Sequence, residues 1–331
     1  MKACIVGAGA IGGMIGTRLA ATGVEVSALA RGATLAALDR HGWRMNTAQG
    51  PMTAPVKASG SADALGTADV VVIAVKGPAL AAAAEAIEPL LGPETMVLPA
   101  MNGVPWWFCN GRPGFESPLQ SVDPAGAIAR AIPFNRVIGC VVHASASTPE
   151  PGVVQHRMGQ GLIIGEPRGG QSERAQRIAA VLGTAGFDVT HSSDIRYDIW
   201  YKLWGNMTMN PVTAMTGATG DRVLGDPLVR AFNSACMEEA AAIGKRIGCA
   251  ITQTPEDRHA ITTRLGAFKT SMLQDVEAGK PMEIEALVGS VVELGRLTDT
   301  PTPHIDAVYA CVGLLAKTLA DHKGLLVVAP T

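Results

Sequence analysis

Charge is scarce in this chain. Asp, Glu, Lys and Arg make up 17% of its 331 residues, and 27 basic against 29 acidic side chains leave a formal net charge of -2. No basic block stands out, so the positive footprint needed to hold a nucleic-acid backbone is missing and nucleic acid is not expected as a partner. Cysteine is equally uninformative as a framework. The six, at positions 4, 109, 140, 236, 249 and 311, form no close pair. Several lie in apolar surroundings such as Ile138-Gly139-Cys140-Val141-Val142, which suits small buried hydrophobes in a reducing compartment better than disulfides or zinc. The histidines also lack ligand spacing, and no metal site is expected. No uncharged apolar run reaches membrane length, and the N-terminal apolar residues are broken by glycines that do not suit a secretory signal. The expected location is the cytoplasm, without membrane association.

Small and apolar residues are what the chain has in abundance: 47% are hydrophobic and 38 are glycine. The first sixteen residues use both. Ala3 to Val6 read as a strand, and Gly7-Ala8-Gly9-Ala10-Ile11-Gly12 as a glycine turn. A small-residue helix follows from about Ile11 to Thr22. This is the order of a dinucleotide fingerprint. Gly7 permits the turn, Gly9 leaves room for a pyrophosphate, Gly12 lets the helix approach the strand, and the helix's first N–H groups face the phosphates. The competing reading is an ordinary glycine-rich turn. A second strand, Val24 to Leu29, ends in Ala30-Arg31-Gly32 with no acid at its tip. An acid there would accept from ribose hydroxyls, whereas Arg31 can pair with a 2'-phosphate, which favours NADP(H) over NAD(H). Stacking of Arg31 on adenine without phosphate preference is the alternative.

Asp69 to Val75 form a continuous apolar strand that runs into Lys76, and Met96 to Pro99 form another that leads to Asn102. Polar residues just beyond the carboxyl ends of parallel strands line a ligand crevice, so Lys76 and Asn102 are candidates, although a lone Lys76 could equally be a surface lysine. Pro105 to Asn135 is less regular; Trp106 and Trp107 could roof a pocket or pack a loop. Strands are expected at 136–143, 153–156, 162–166 and 187–191, with a helix ending near Leu182 before Gly183. From Asp194 the periodicity becomes helical, which predicts domains at 1–192 and 193–331. Lys202, Asn206 and Asn210, four residues apart, share one helical face. Asn is a poor helix former and an uncommon choice for a merely solvated stripe, which is the competing reading. Residues 213–220 read as a small-residue linker. Further helices are expected at 227–247, after Thr254-Pro255, and from 303 to about 321. The Gly279-Lys280-Pro281 break prevents spacing alone from placing Ser271 beside Glu283.

Taken together, the stretches GAGAIGG at 7–13, LARG at 29–32, VK at 75–76, NGV at 102–104, DIRYDIWYKLWGNMTMNP at 194–211, SMLQD at 271–275 and EIE at 283–285 resemble the ketopantoate reductase family over nearly the whole chain. The resemblance implies an α/β Rossmann-type N-terminal domain followed by an all-α C-terminal domain, with the active site in the interdomain cleft. It implies reduction of 2-dehydropantoate by NADPH to (R)-pantoate, giving NADP+, in pantothenate biosynthesis. Lys202 then corresponds to the general acid and Glu283 to the glutamate near the reacting oxygen or substrate hydroxyl. Asn102, Asn206, Asn210 and Ser271 correspond to substrate positions. Gly7 to Gly12 (Ala8, Gly9, Ala10 and Ile11 between them), Arg31, Lys76 and again Asn102 correspond to the cofactor side. The expected partner is a small 2-oxo acid, and the apolar C-terminal helices could close a monomer or pair a homodimer. The stretch after Asn102 is bulkier than in the shortest members, which leaves a different branched 2-oxo acid as an alternative substrate. A nucleotide-binding protein without turnover is a third reading, and an NAD-linked oxidative dehydrogenase is disfavoured by Arg31.

Overall fold

A computed structural model describes residues 1–322 and 324. The chain forms two compact units. The first comprises 1–111, 115–118 and 125–198, and the second 112–114, 119–124 and the residues from Ile199 onward.

The first unit begins with β1 (Lys2–Val6), α1 (Ala10–Ala21), β2 (Glu25–Leu29) and α2 (Gly32–His41). It continues through β3 (Trp43–Thr47), β4 (Gly50–Ala54), β5 (Lys57–Ser59), β6 (Ala68–Ile73), α3 (Leu80–Ala86) and β7 (Leu91–Pro99). Strands β5, β2, β1, β6 and β7 form a parallel sheet in that order, the Rossmann arrangement expected. Val6 is paired with both Leu29 and Ile73, and Ile73 with Pro99, so the carboxyl ends of four strands lie in one row. The strand order reverses direction at β1, which makes the loop after Val6 the topological switch point where ligands of such sheets bind.

A second sheet is built from β3, β4, β8 (Gly139–Glu150), β9 (Val153–Gly165) and β10 (Asp188–Ser192), with β3 to β9 and β10 to β9 parallel and the other pairs antiparallel. The composition of α1 follows from its place between the two sheets. A Cβ at Gly16 would stand 2.7 Å from the Trp43 ring of β3 and 3.1 Å from Ile5 of β1, and one at Gly13 would stand 2.6 Å from Val154 of β9. Any larger residue at these positions would push the layers apart. Trp43, Ile5 and Val154 are all buried in the core that this helix completes.

Within the first unit the structure revises or sharpens the sequence reading locally. The segments expected as separate strands at 153–156 and 162–166 are one strand, β9, because β8 accompanies it throughout and shifts register near His143 and Ser145. The helix α5 (Glu173–Thr184) passes through Gly183; a Ser172 side chain caps its start, and the chain turns instead at Gly186, whose φ is +83°. Of the two readings of Trp106 and Trp107 the packed one holds, since both are buried together with Phe108. A short helix, α4 (Ala127–Ala131), also interrupts the irregular region. Five cysteines are buried, as their surroundings suggested, while Cys311 is exposed.

The second unit is helical: α6 (Ile195–Thr216, beginning in the first unit), α7 (Gly220–Gly225), α8 (Pro227–Arg246), α9 (Pro255–Thr263), α10 (Ser271–Glu277), a π-helical turn at Glu285–Gly289, α11 (Ser290–Leu297) and α12 (Pro303–Asp321). Helix α9 starts with a capping box in which the Thr254 hydroxyl accepts from Asp257 and the Asp257 carboxylate accepts from the Thr254 N–H. Residues 213–216, expected in a linker, are the last turn of α6. They remain helical beyond Pro211 because Met209 and Val212 are buried against Val223 and Leu224 of α7, which outweighs one lost backbone bond. Residues 323 and 325–331 of the expected second domain lie outside the described residues. Among the described residues no helix is long and apolar enough to cross a membrane.

Candidate active site

The cofactor candidates come together on one rim of the parallel sheet. Gly7 leaves β1 with φ +90°, and its N–H donates to the Leu29 carbonyl at 3.2 Å. A Cβ at Gly12 would overlap the Gly7 carbonyl oxygen and stand 3.0 Å from Ala74 and Ile5. A glycine is therefore required for α1 to start so close to the strand. Gly9, the N-cap, is different: a Cβ there would meet nothing within 4 Å. The open space lies in front of a helix start that has no side-chain cap and no acidic residue in its first turn. Uncapped N–H groups beside open space are what a phosphate group requires.

The other three candidates leave the same row of strand ends. Arg31 follows β2, Lys76 follows β6 and Asn102 follows β7. Arg31 is exposed, and its guanidinium makes no hydrogen bond or ion pair among the described residues. The acid of β2, Glu25, stands at the opposite end of the strand and pairs with Lys2 at 3.7 Å. Lys76 and Asn102 are half-buried. These residues fit a phosphorylated dinucleotide in chemistry: an anion cradle at a helix N-terminus, a cation after β2 that is unspent among the described residues, and the acid of β2 at the strand's far end.

The remaining candidates belong to the second unit. Lys202, Asn206 and Asn210 follow one stripe of α6, whose other faces are sealed by Trp200, Leu203, Trp204 and Met207, all buried. Trp204 Nε1 donates to the Met237 carbonyl of α8 at 2.7 Å, and Trp200 packs against Gly244 of the same helix. These contacts fix the rotation of α6 and hence the direction of the polar stripe. Lys202 and Asn206 are half-buried, and Asn210 is only 4% exposed. The side-chain amides of Asn206 and Asn210 make no hydrogen bond among the described residues. Asn210 is thus buried as a residue, while its amide atoms remain accessible to a ligand or water.

Ser271 is brought to the same end of α6. The Thr213 hydroxyl donates to the Asn210 carbonyl at 2.9 Å and is 2.6 Å from the Thr270 hydroxyl, which caps α10. Ser271 is the next residue, exposed, with its hydroxyl unused among the described residues. Glu283 stands half-buried between Met282 and Ile284, both buried, immediately before the π-helical turn. That turn was not foreseen; the only sequence trace of it is Gly289, four residues after Glu285. The Pro211 that follows Asn210 is a second local conflict, since it brings no N–H to the Met207 carbonyl one turn earlier. Such conflicts with local preference gather where a site needs them.

Fold and site together define an oxidoreductase built on a dinucleotide-binding parallel sheet with a helical second unit. Two family descriptions match, "Ketopantoate reductase PanE/ApbA" over residues 3–169 and "Ketopantoate reductase PanE/ApbA C terminal" over 194–316. The chain belongs to the ketopantoate reductase family. It is 44% identical to the 2-dehydropantoate 2-reductase of Mesorhizobium japonicum, over 96% of this chain and 98% of that protein. A crystal structure of a protein from Ralstonia solanacearum superposes with a TM-score of 0.93 at 53% identity, covering 98% of this chain and 99% of the other. D-mandelate dehydrogenase, solved with NADH and anilino(oxo)acetate, shares the fold at 20% identity and a TM-score of 0.82, over 97% and 100% of the two chains.

Proposed function

We propose that the protein reduces 2-dehydropantoate to (R)-pantoate with NADPH. The observation that carries this reading is the α6 stripe: an ammonium, then two amides that make no hydrogen bond among the described residues, on a helix otherwise buried among apolar residues. Gly7, Ala8, Gly9, Ala10, Ile11 and Gly12 hold the pyrophosphate on backbone N–H groups, Arg31 pairs with the 2'-phosphate, and Lys76 and Asn102 serve the cofactor side. NADPH supplies the hydride when bound. Lys202 gives the proton to the ketone oxygen and stabilises the negative charge that builds there, and Glu283 hydrogen-bonds near that oxygen or the substrate hydroxyl. Asn206, Asn210, Ser271 and Asn102 donate to the polar groups of the 2-oxo acid, for which an uncharged donor set in a dry site suffices.

The relative from Mesorhizobium carries the same named activity over nearly its full length, which supports the substrate. The test is the initial rate of NADPH consumption with 2-dehydropantoate beside a panel of other branched 2-oxo acids. The expected result is a kcat/KM highest for 2-dehydropantoate. A higher value for another member of the panel would overturn the substrate, and no consumption with any of them would overturn the enzymatic reading.

A further inference from the structure

The π-helical turn after Glu283 is held open by a set of side chains that the reaction chemistry does not require. The Ser290 N–H donates to the Glu285 carbonyl, five residues back, where an α-helix would direct it to Ala286. The Ala286 carbonyl accepts instead from the Ser290 hydroxyl at 2.9 Å, and Ser290 is fully buried. Glu285 is tied down from α12: the Tyr309 hydroxyl lies 3.1 and 3.0 Å from its two carboxylate oxygens and donates to them. Gly289 makes room for this arrangement, because a Cβ at that position would overlap Glu285 Oε2 and stand 3.2 Å from the Tyr309 ring. Two contacts, with the space that Gly289 leaves for one of them, thus favour one extra residue in the turn.

An extra residue in a helix rotates the segment before it by about 100° relative to the segment after it. Glu283 lies two residues before the turn, half-buried, with its sequence neighbours Met282 and Ile284 both buried. We propose that Glu285 and Tyr309 are positioning residues: their clasp maintains the π turn, and the π turn sets the direction in which Glu283 presents its carboxylate. The inference rests on the role proposed for Glu283 in catalysis. Tyr309 is committed to the donor role, since burial and then its bond to the Glu285 carboxylate push its phenol above the ordinary tyrosine range.

The experiment compares Tyr309→Phe, Glu285→Ala, Glu285→Gln and Glu283→Gln with the wild-type enzyme, measuring kcat, KM for NADPH and for 2-dehydropantoate, and melting temperature. Misdirecting a reacting group by an ångström or so costs on the order of 100-fold, so kcat should fall roughly 10- to 100-fold in Tyr309→Phe and Glu285→Ala. KM for NADPH should be unchanged and the proteins should remain folded. Glu285→Gln, whose amide oxygen can still accept from Tyr309, should recover most of kcat. Wild-type kcat in both Tyr309→Phe and Glu285→Ala, beside a collapsed Glu283→Gln, would overturn the positioning role alone. A Glu285→Gln variant as impaired as Glu285→Ala would overturn it too, by showing that the charge and not the clasp matters. Wild-type turnover in Glu283→Gln would overturn the assignment of Glu283 and this proposal with it.

Discussion

Two glycines three residues apart should fail in different ways when each receives a methyl group. At Gly12 the added Cβ overlaps the Gly7 carbonyl, a backbone atom that cannot swing aside. Overpacking at such a position costs up to about 3 kcal/mol, and the better helix propensity of alanine returns about 1 kcal/mol, leaving a net loss of about 2 kcal/mol. For a unit of this size that corresponds to a fall in melting temperature of roughly 4–8 °C. At Gly9 nothing stands within 4 Å of the new Cβ, so the cost is that of a poorer N-cap, about 0.5–1 kcal/mol, and a fall of roughly 1–4 °C. The cofactor should respond to Gly9→Ala all the same, because the methyl group occupies the approach of the pyrophosphate. Loss of a charge-assisted contact of about 1.5–3 kcal/mol raises Kd roughly 10- to 150-fold. Calorimetric melting without cofactor, together with fluorescence titration of NADPH, measures both quantities. Gly9→Ala binding NADPH with the wild-type Kd, or melting as early as Gly12→Ala, would refute the reasoning.

Three further outcomes are expected. Arg31→Ala should lower the preference for NADPH over NADH by roughly 10- to 100-fold in kcat/KM, and equal efficiency of the wild-type enzyme with both cofactors would remove the phosphate role. Lys202→Ala should lower kcat by about 10²- to 10⁴-fold with NADPH affinity retained; near wild-type turnover, measured at saturating substrate, would reject it as the proton donor. Acid stability should depend on Glu166. Burial raises its pKa, but the Arg174 and Ser172 hydrogen bonds, at 2.5–2.7 Å, outweigh that and hold it below the ordinary glutamate range. A depressed carboxylate stabilises the folded chain above the unfolded-state pKa and loses that contribution as pH falls through the folded one. Urea unfolding at pH 7 and at pH 3 should therefore show a smaller difference for Glu166→Gln than for the wild type, and an undiminished difference would count against the linkage.

The parallel sheet was legible because its signals are local. A strand, a glycine turn and a small-residue helix stand next to one another in 2–21, and continuous apolar runs mark β6 and the end of β7. The stripe of Lys202, Asn206 and Asn210 was equally legible, since a spacing of four is a property of any α-helix. Strands β3 and β4 were not foreseen, and neither was the reason for Gly13 and Gly16. Their role depends on Trp43 and Val154, which approach α1 only once the second sheet has formed.

The sequence by itself determined the order of the elements, the absence of an acid at the tip of β2, and which side chains of α6 share a face. These follow from covalent neighbours and helical or strand periodicity, and no partner segment is needed to read them. Tertiary structure alone decided that Asn206 and Asn210 keep their amides unspent among the described residues, that Ser271 stands at the end of α6 through the Thr213–Thr270 contact, and that Glu283 is followed by a π turn. Each of these involves what another helix brings alongside, and Glu285 of the turn accepts from a tyrosine 24 residues further along the chain. Burial and hydrogen-bond satisfaction are properties of the assembled unit, and periodicity carries no record of them.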